Sequence, residues 1–111
     1  MISTLEKLVM KFCVISMLTG ACLNYIVLFV NDGKMPVDTT EPVISERHIP
    51  MNESSRLTML ADIFHAELPY GVKATYSIGD VFIYSGVLTA LILLTGYFFL
   101  MLKYFSRRLI F

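Results

Sequence analysis

Val81-Phe-Ile-Tyr-Ser-Gly-Val-Leu-Thr-Ala-Leu-Ile-Leu-Leu-Thr-Gly-Tyr-Phe-Phe-Leu-Met-Leu102 is the stretch that decides the fold class of this chain. Its 22 residues carry no charge. As a helix they reach about 33 Å, against a hydrocarbon core about 30 Å thick. A run this long has no polar face to show to water, so it reads as a transmembrane helix and not as the core helix of a soluble domain. Ser77-Ile-Gly-Asp80 stands directly before it. Ser77 is an N-cap candidate, and Asp80 would favour the positive end of the helix dipole. Tyr76 and Tyr84 fall near one end of the run, Tyr97 and Tyr104 near the other, as in an interfacial aromatic belt. Lys103, Arg107 and Arg108 mark a basic tail over residues 103–111.

A second apolar block lies toward the N-terminus: Phe12-Cys-Val-Ile-Ser-Met-Leu-Thr-Gly-Ala-Cys-Leu-Asn-Tyr-Ile-Val-Leu-Phe-Val30, 19 residues without a charge. It too is long enough to span. Residues 1–11 read as an amphipathic lead-in, and Lys11 can snorkel to the headgroups. Asn31-Asp-Gly33 and Pro36 stop the helix, with Gly33 suited to a left-handed C-cap. These two blocks account for the 56% hydrophobic and 16% charged composition of the 111-residue chain, which departs from the ~25% charge of an ordinary soluble domain. Cys13 and Cys22, nine residues apart on one helix, face different ways and are read as small hydrophobes. No basic stripe of a nucleic-acid binder is present.

The flanks set the expected orientation. Residues 1–30 hold Lys7 and Lys11, and the tail holds three cations; residues 31–80 hold four cations against eight acids. The positive-inside rule keeps both short basic termini in the cytoplasm and sends the loop 31–80 outside the cell membrane. A competing reading takes residues 7–22 as a cleaved signal. The chain after Cys22 stays hydrophobic, which argues against it.

The loop carries Pro36, Pro42, Pro50 and Pro69, so long helices are not expected over 35–50. Residues 54–66 place Leu57, Leu60, Ala61 and Phe64 at helical spacing and predict a short amphipathic helix. Leu68-Pro-Tyr-Gly71 reads as a turn.

Asn24-Tyr-Ile-Val-Leu-Phe-Val-Asn31-Asp-Gly33-Lys-Met35-Pro36-Val37, His48, Leu60-Ala-Asp62-Ile63, Leu68-Pro-Tyr70 and Ser77-Ile-Gly79-Asp80-Val81 follow one another in an order and spacing that resembles a bacterial membrane family of unknown function, DUF5317. The family shows Asn-Gly-Gly-x-Met-Pro-Val and Leu-Gly-Asp-Ile where this chain has Asp32 and Ala61 in place of glycine. Its members are longer, so the resemblance implies a shortened relative. It also implies a membrane location and an ordered, partly embedded loop, and it implies no activity.

Several residues are candidates for packing or binding. Ser16, Gly20 and Asn24 recur every four residues on the first span, and Gly86 and Ala90 do so on the second. Such small-residue faces allow close helix approach. Asn24 is an amide within an apolar run; it reads as a hydrogen bond to the other helix or the loop, or else as part of a solute path. Asn31, Gly33, Met35, Pro36, His48, Asp62, Ser77, Gly79 and Asp80 are the loop residues with a structural or binding role. Asn31, Asp32, Asp62 and Asp80 should gather near the outer interface. His48, His65 and Glu67 lack an established metal spacing, so no metal or cofactor is assigned. No GxSxG, Walker loop or HExxH motif occurs.

The expected architecture is an all-α membrane protein, a two-span helical hairpin (12–30 and 81–102) with an ordered loop (31–80) carrying a short amphipathic helix. The expected function is an accessory or assembly subunit that works through its spans and loop, as a homo-oligomer or within a larger membrane complex. The alternatives are a component that binds or transports a small solute or ion and, least favoured, an enzyme at the membrane face. The partners expected are the lipid bilayer and either further copies of the chain or a larger membrane complex, with no nucleic acid, and no catalytic residue is assigned.

Overall fold

The computed structural model describes residues 3–43 and 45–110. Two long helices run antiparallel as a hairpin, and the chain between them folds into a cap of short strands at one end. Helix α1 spans Thr4–Val30, so the lead-in and the first apolar block are one continuous helix. Its start is a capping box: Ser3 Oγ accepts from the Glu6 amide at 3.2 Å, and the Glu6 carboxylate accepts from the Ser3 amide at 3.4 Å. Its end is set where the Gly33 amide turns back to donate to Leu28 O at 2.7 Å. Both Asp32 (φ 58°) and Gly33 (φ 81°) are left-handed there. Gly33 takes that conformation without strain, and Asp is among the few other residues that tolerate it. This explains how Asp32 can stand where the DUF5317 pattern has glycine.

Helix α2 spans Ile78–Ile110, 33 residues or about 50 Å, and includes the basic tail. Both helices are long and apolar enough to cross a membrane. Glycines set their contact. A Cβ on Gly86 would stand 2.7 Å from Cys13 O, and one on Gly79 would stand 2.7 Å from Gly20 O. Gly20 itself lies against the Gly79 carbonyl and Ile83. Ser16 Oγ donates to Phe82 O at 2.6 Å, spending its hydroxyl across the same seam. Ala90, further along, is half-buried.

The cap corrects the all-α expectation. Strand β1 (Met35–Val37) pairs in parallel with β2 (His48–Pro50), in the register Met35↔His48 and Val37↔Pro50. Strand β3 (Phe64–Glu67) pairs antiparallel with β4 (Lys73–Tyr76), joined by a short 3-10 turn at Pro69–Gly71. The amphipathic helix expected over 54–66 does not form. That segment holds one 3-10 turn, Thr58–Leu60, entered through a left-handed Leu57 (φ 51°) and left through an extended Ala61. An isolated helix of that length is marginal. Tertiary bonds take its backbone instead: Asn31 grips Arg56 at one end, and Asp62 bridges to Val37 at the other. The apolar positions are then used piecemeal. Ala61 is fully buried with Val27 and Met35, and Leu28, Met51 and Leu60 pack around them, while Met59 points outward. This small core sits on the last turns of α1 and fixes the cap to the hairpin.

Candidate functional site at the junction of hairpin and cap

The first turn of α2 is built by Ser77 and Asp80. Ser77 Oγ accepts from the Asp80 amide at 3.2 Å, and Asp80 Oδ2 accepts from the Ser77 amide at 3.1 Å. Asn24 on α1 completes the group. Its Nδ2 donates to Asp80 Oδ1 at 2.9 Å, and its Oδ1 accepts from Ser77 Oγ at 2.7 Å. Gly79 is what lets Asn24 come this close, because a Cβ at 79 would collide with the amide. Ser77 is fully buried. The group therefore satisfies itself internally and locks the two helices in register.

Asn31, the C-cap of α1, performs a parallel task for the cap. Its Nδ2 donates to Val27 O at 2.8 Å and to Arg56 O at 2.9 Å, and its Oδ1 accepts from the Arg56 amide at 2.9 Å. The side chain thus pairs with residue 56 as a strand backbone would. Met35, Pro36 and Val37 are buried behind it. The Asp62 amide donates to Pro36 O at 3.1 Å, and the Asp38 amide donates to Asp62 O at 3.0 Å. In this way the Met-Pro-Val and Leu-Ala-Asp-Ile stretches become neighbours.

Asp62 is the most perturbed group in the cap. Its side chain is 7% exposed. Burial, and then the negative charge of Asp80, push its carboxyl up to about 6; His48 works in the opposite direction. His48 Nε2 stands 3.6 Å from Asp62 Oδ2, beyond hydrogen-bond reach, while His48 Nδ1 is 2.9 Å from Ser45 Oγ. Asp62 and His48 open onto a broad cleft of about 1100 Å³ between the two small sheets. Asp38, Glu41, His65, Glu67 and Lys73 also line it. His65 lies 3.7 Å from Asp38, and Lys73 lies 3.4 Å from Glu41.

The fold therefore divides the candidate residues into three places. Ser16, Gly20, Asn24, Gly79 and Gly86 line the helix seam, where Ser77 and Asp80 close its upper end. Asn31, Gly33, Met35 and Pro36 turn the chain and carry the cap. His48 and Asp62 reach the cleft. Asp38, Glu41, Ser45 and Lys73 were not singled out from the sequence. Of these, Ser45 stands three residues before His48, a spacing from which contact could have been suspected. Asp38 and Glu41 reach His65 and Lys73 from the chain after β1, a contact set by the fold of the cap. Among the described residues, no three His, Cys, Asp or Glu side chains cluster closely enough to hold a metal ion.

Comparison with known proteins gives a family and no activity. The model of a family of unknown function, DUF5317, matches residues 2–93, which takes in α1, the cap and half of α2. An uncharacterized protein of Thermotoga maritima is 38% identical over 78 residues, covering 64% of this chain and 45% of that protein. The chain thus spans about half the length of that relative. No solved structure matches. With most of its length matched, from the start of α1 through the glycine seam of α2, the chain belongs to the DUF5317 family.

Proposed function

We propose that this chain is an intramembrane interaction subunit: a two-span hairpin with both termini in the cytoplasm and its cap outside, which pairs laterally with another transmembrane helix, in a second copy or a larger complex. One observation carries this reading. Glu6, in the first turn of α1, accepts a hydrogen bond from the Tyr97 hydroxyl of α2. Beyond Tyr97, α2 continues for thirteen residues, about 20 Å. Residues 98–109 are all exposed, and Phe98, Phe99, Leu100, Met101, Leu102, Phe105 and Leu109 are among them. Lipid can cover such a surface, but packing of one helix on another inside a bilayer comes from close side-chain contact, and this stretch has no protein neighbour among the described residues.

The polar groups fit a bilayer set between the two clamps. Asp80 and Tyr97 are seventeen residues apart on α2, about 26 Å, near the thickness of a hydrocarbon core. Lys7 and Lys11 lie on the Glu6 side, where their stems can snorkel toward the inner headgroups. The projecting end of α2 then bears Lys103, Arg107 and Arg108, with Arg108 held over the Tyr104 ring at 5.2 Å.

Single cysteines at Ser3, Ser54 and Ser106, in a chain lacking Cys13 and Cys22, test the orientation: only position 54 should react with an impermeant reagent in whole cells. A photo-crosslinker at Phe98 or Leu102 tests the lateral partner. A discrete crosslinked species is expected, and a strictly monomeric product from both positions would remove the proposal.

A second reading, a small-solute binding component, is supported by the cleft that opens beside Asp62.

A further inference from the structure

We propose that the cleft in the cap is a binding site for a small organic cation, of the primary-amine class, with Asp62 as its anionic anchor. The inference rests on the solute-binding reading and goes beyond it by naming the ligand's charge and its anchor. It is independent of any lateral partner of the helices.

Acids outnumber basic residues among the charged groups of the cleft wall. Asp38, Glu41, Asp62 and Glu67 face one cation, Lys73, and that lysine is already 3.4 Å from Glu41. An excess of acids alone would be a solvated surface. Asp62 makes the difference. Its side chain is more than nine-tenths buried and lines the cleft, yet its carboxylate accepts no hydrogen bond among the described residues. The neighbouring acid Asp80 accepts from the Ser77 amide and from Asn24, and Glu6 at the far end of the hairpin accepts from Tyr97; Asp62 has only His48 Nε2 at 3.6 Å. The carboxylate opens to the cleft with no protein donor within hydrogen-bond reach, and a positively charged donor arriving from the cleft would supply one. An ammonium group supplies three N–H donors at one point. The cleft is far larger than one ion needs, which suits an organic cation.

The charges around the anchor determine how binding depends on pH. Asp62 is faced by His48 from β2, by Asp80 from the head of α2 and by Asp38 just after β1, with His65 of β3 beside Asp38. Lowering the pH protonates Asp62 and removes the anchor's negative charge, so binding weakens as pH falls through about 6.

The chain contains two histidines, and both line this cleft, so their imidazole resonances report on it directly. The full chain in lipid nanodiscs would be titrated with 1,4-diaminobutane, with glutamate and with glucose at pH 7.5. The expected result is a saturable shift of both imidazoles with the diamine and none with the other two. Asp62→Asn should weaken the diamine at least tenfold. Asp38→Asn, at an exposed carboxylate that threatens no core, should weaken it several-fold, and Asp32→Asn, outside the cleft, should leave it unchanged. Saturable binding of glutamate or glucose without the diamine would overturn the cation assignment while leaving a solute site standing. No saturable shift with any of the three would overturn both. Equal diamine binding by wild type, Asp62→Asn and Asp38→Asn would overturn the anchor.

Discussion

Asn24 and Asp80 meet across the hairpin, 56 positions apart in sequence, with the Asn24 amide donating to the carboxylate at 2.9 Å. The carboxylate's other oxygen holds the Ser77 amide, so one side chain of α1 braces the N-terminal cap of α2. The chain's two helices are thus registered by hydrogen bonds at one end of the seam and by glycine contacts along it.

Replacing Asn24 with Leu should remove both bonds and leave Ser77 Oγ and Asp80 with fewer partners. The expected loss is about 1–2 kcal/mol of stability, since interhelical hydrogen bonds in membrane proteins are modest and an orphaned polar group adds to the cost. Unfolding in a graded detergent mixture would measure it. A stability equal to wild type would show that water replaces the amide at no cost.

The glycines should divide by position. Gly86→Val must push Cys13 and Met17 of α1 away and should cost about 1–3 kcal/mol. Gly96, with nothing within 4 Å of a built Cβ, should accept Ala with no loss, or with a gain of up to about 1 kcal/mol from helix propensity. The same unfolding assay compares them, and equal effects at 86 and 96 would contradict the seam.

Asn31→Ala should detach the cap locally without melting the helices. It strips the Arg56 N–H and C=O of their partner, a change worth roughly 1–3 kcal/mol where water does not replace it. Amide exchange at Arg56 should accelerate by at least tenfold, while amides in the middle of α2 should not change.

The carboxyl of Asp62 predicts a pH dependence of stability with a definite sign. Its proton is released near 3.8 in the unfolded chain and near 6 in the folded one. Between those values the folded state holds more protons, so this group's contribution declines as pH rises through the window, by up to about 3 kcal/mol. Asp62→Asn should therefore be more stable than wild type at pH 7 and close to it at pH 4. Denaturation at the two pH values checks this, and a constant difference between the proteins would contradict it.

Much of the frame was legible because it depends on local chemistry. The loop-facing ends of the helices could be read from Asn31-Asp-Gly33 and from Ser77-x-x-Asp80, where capping residues act on backbone only a few positions away, whereas the Ser3–Glu6 capping box that starts α1 was not. The strands could not. Each is three or four residues long, too short for an alternating pattern, and β1, ending at Val37, pairs in parallel with a partner that begins eleven positions further on, at His48, which no local signal marks. The helical spacing of Leu57, Leu60, Ala61 and Phe64 misled for the same reason. Those residues are buried or exposed one at a time by α1 and the neighbouring strands, so their period records no helix.

By itself the sequence determined that two uncharged runs form helices long enough to cross a bilayer, where their loop-facing ends are capped, and that a polar segment joins them. Hydrophobic length and short-range capping are enough for this. Tertiary structure alone decided which polar residues serve the scaffold and which remain available. Asn24, Ser77 and Asp80 satisfy one another because the glycine seam brings α1 and α2 into backbone contact. Asp62, also buried, is left facing a cleft, with His48 Nε2 held off at 3.6 Å.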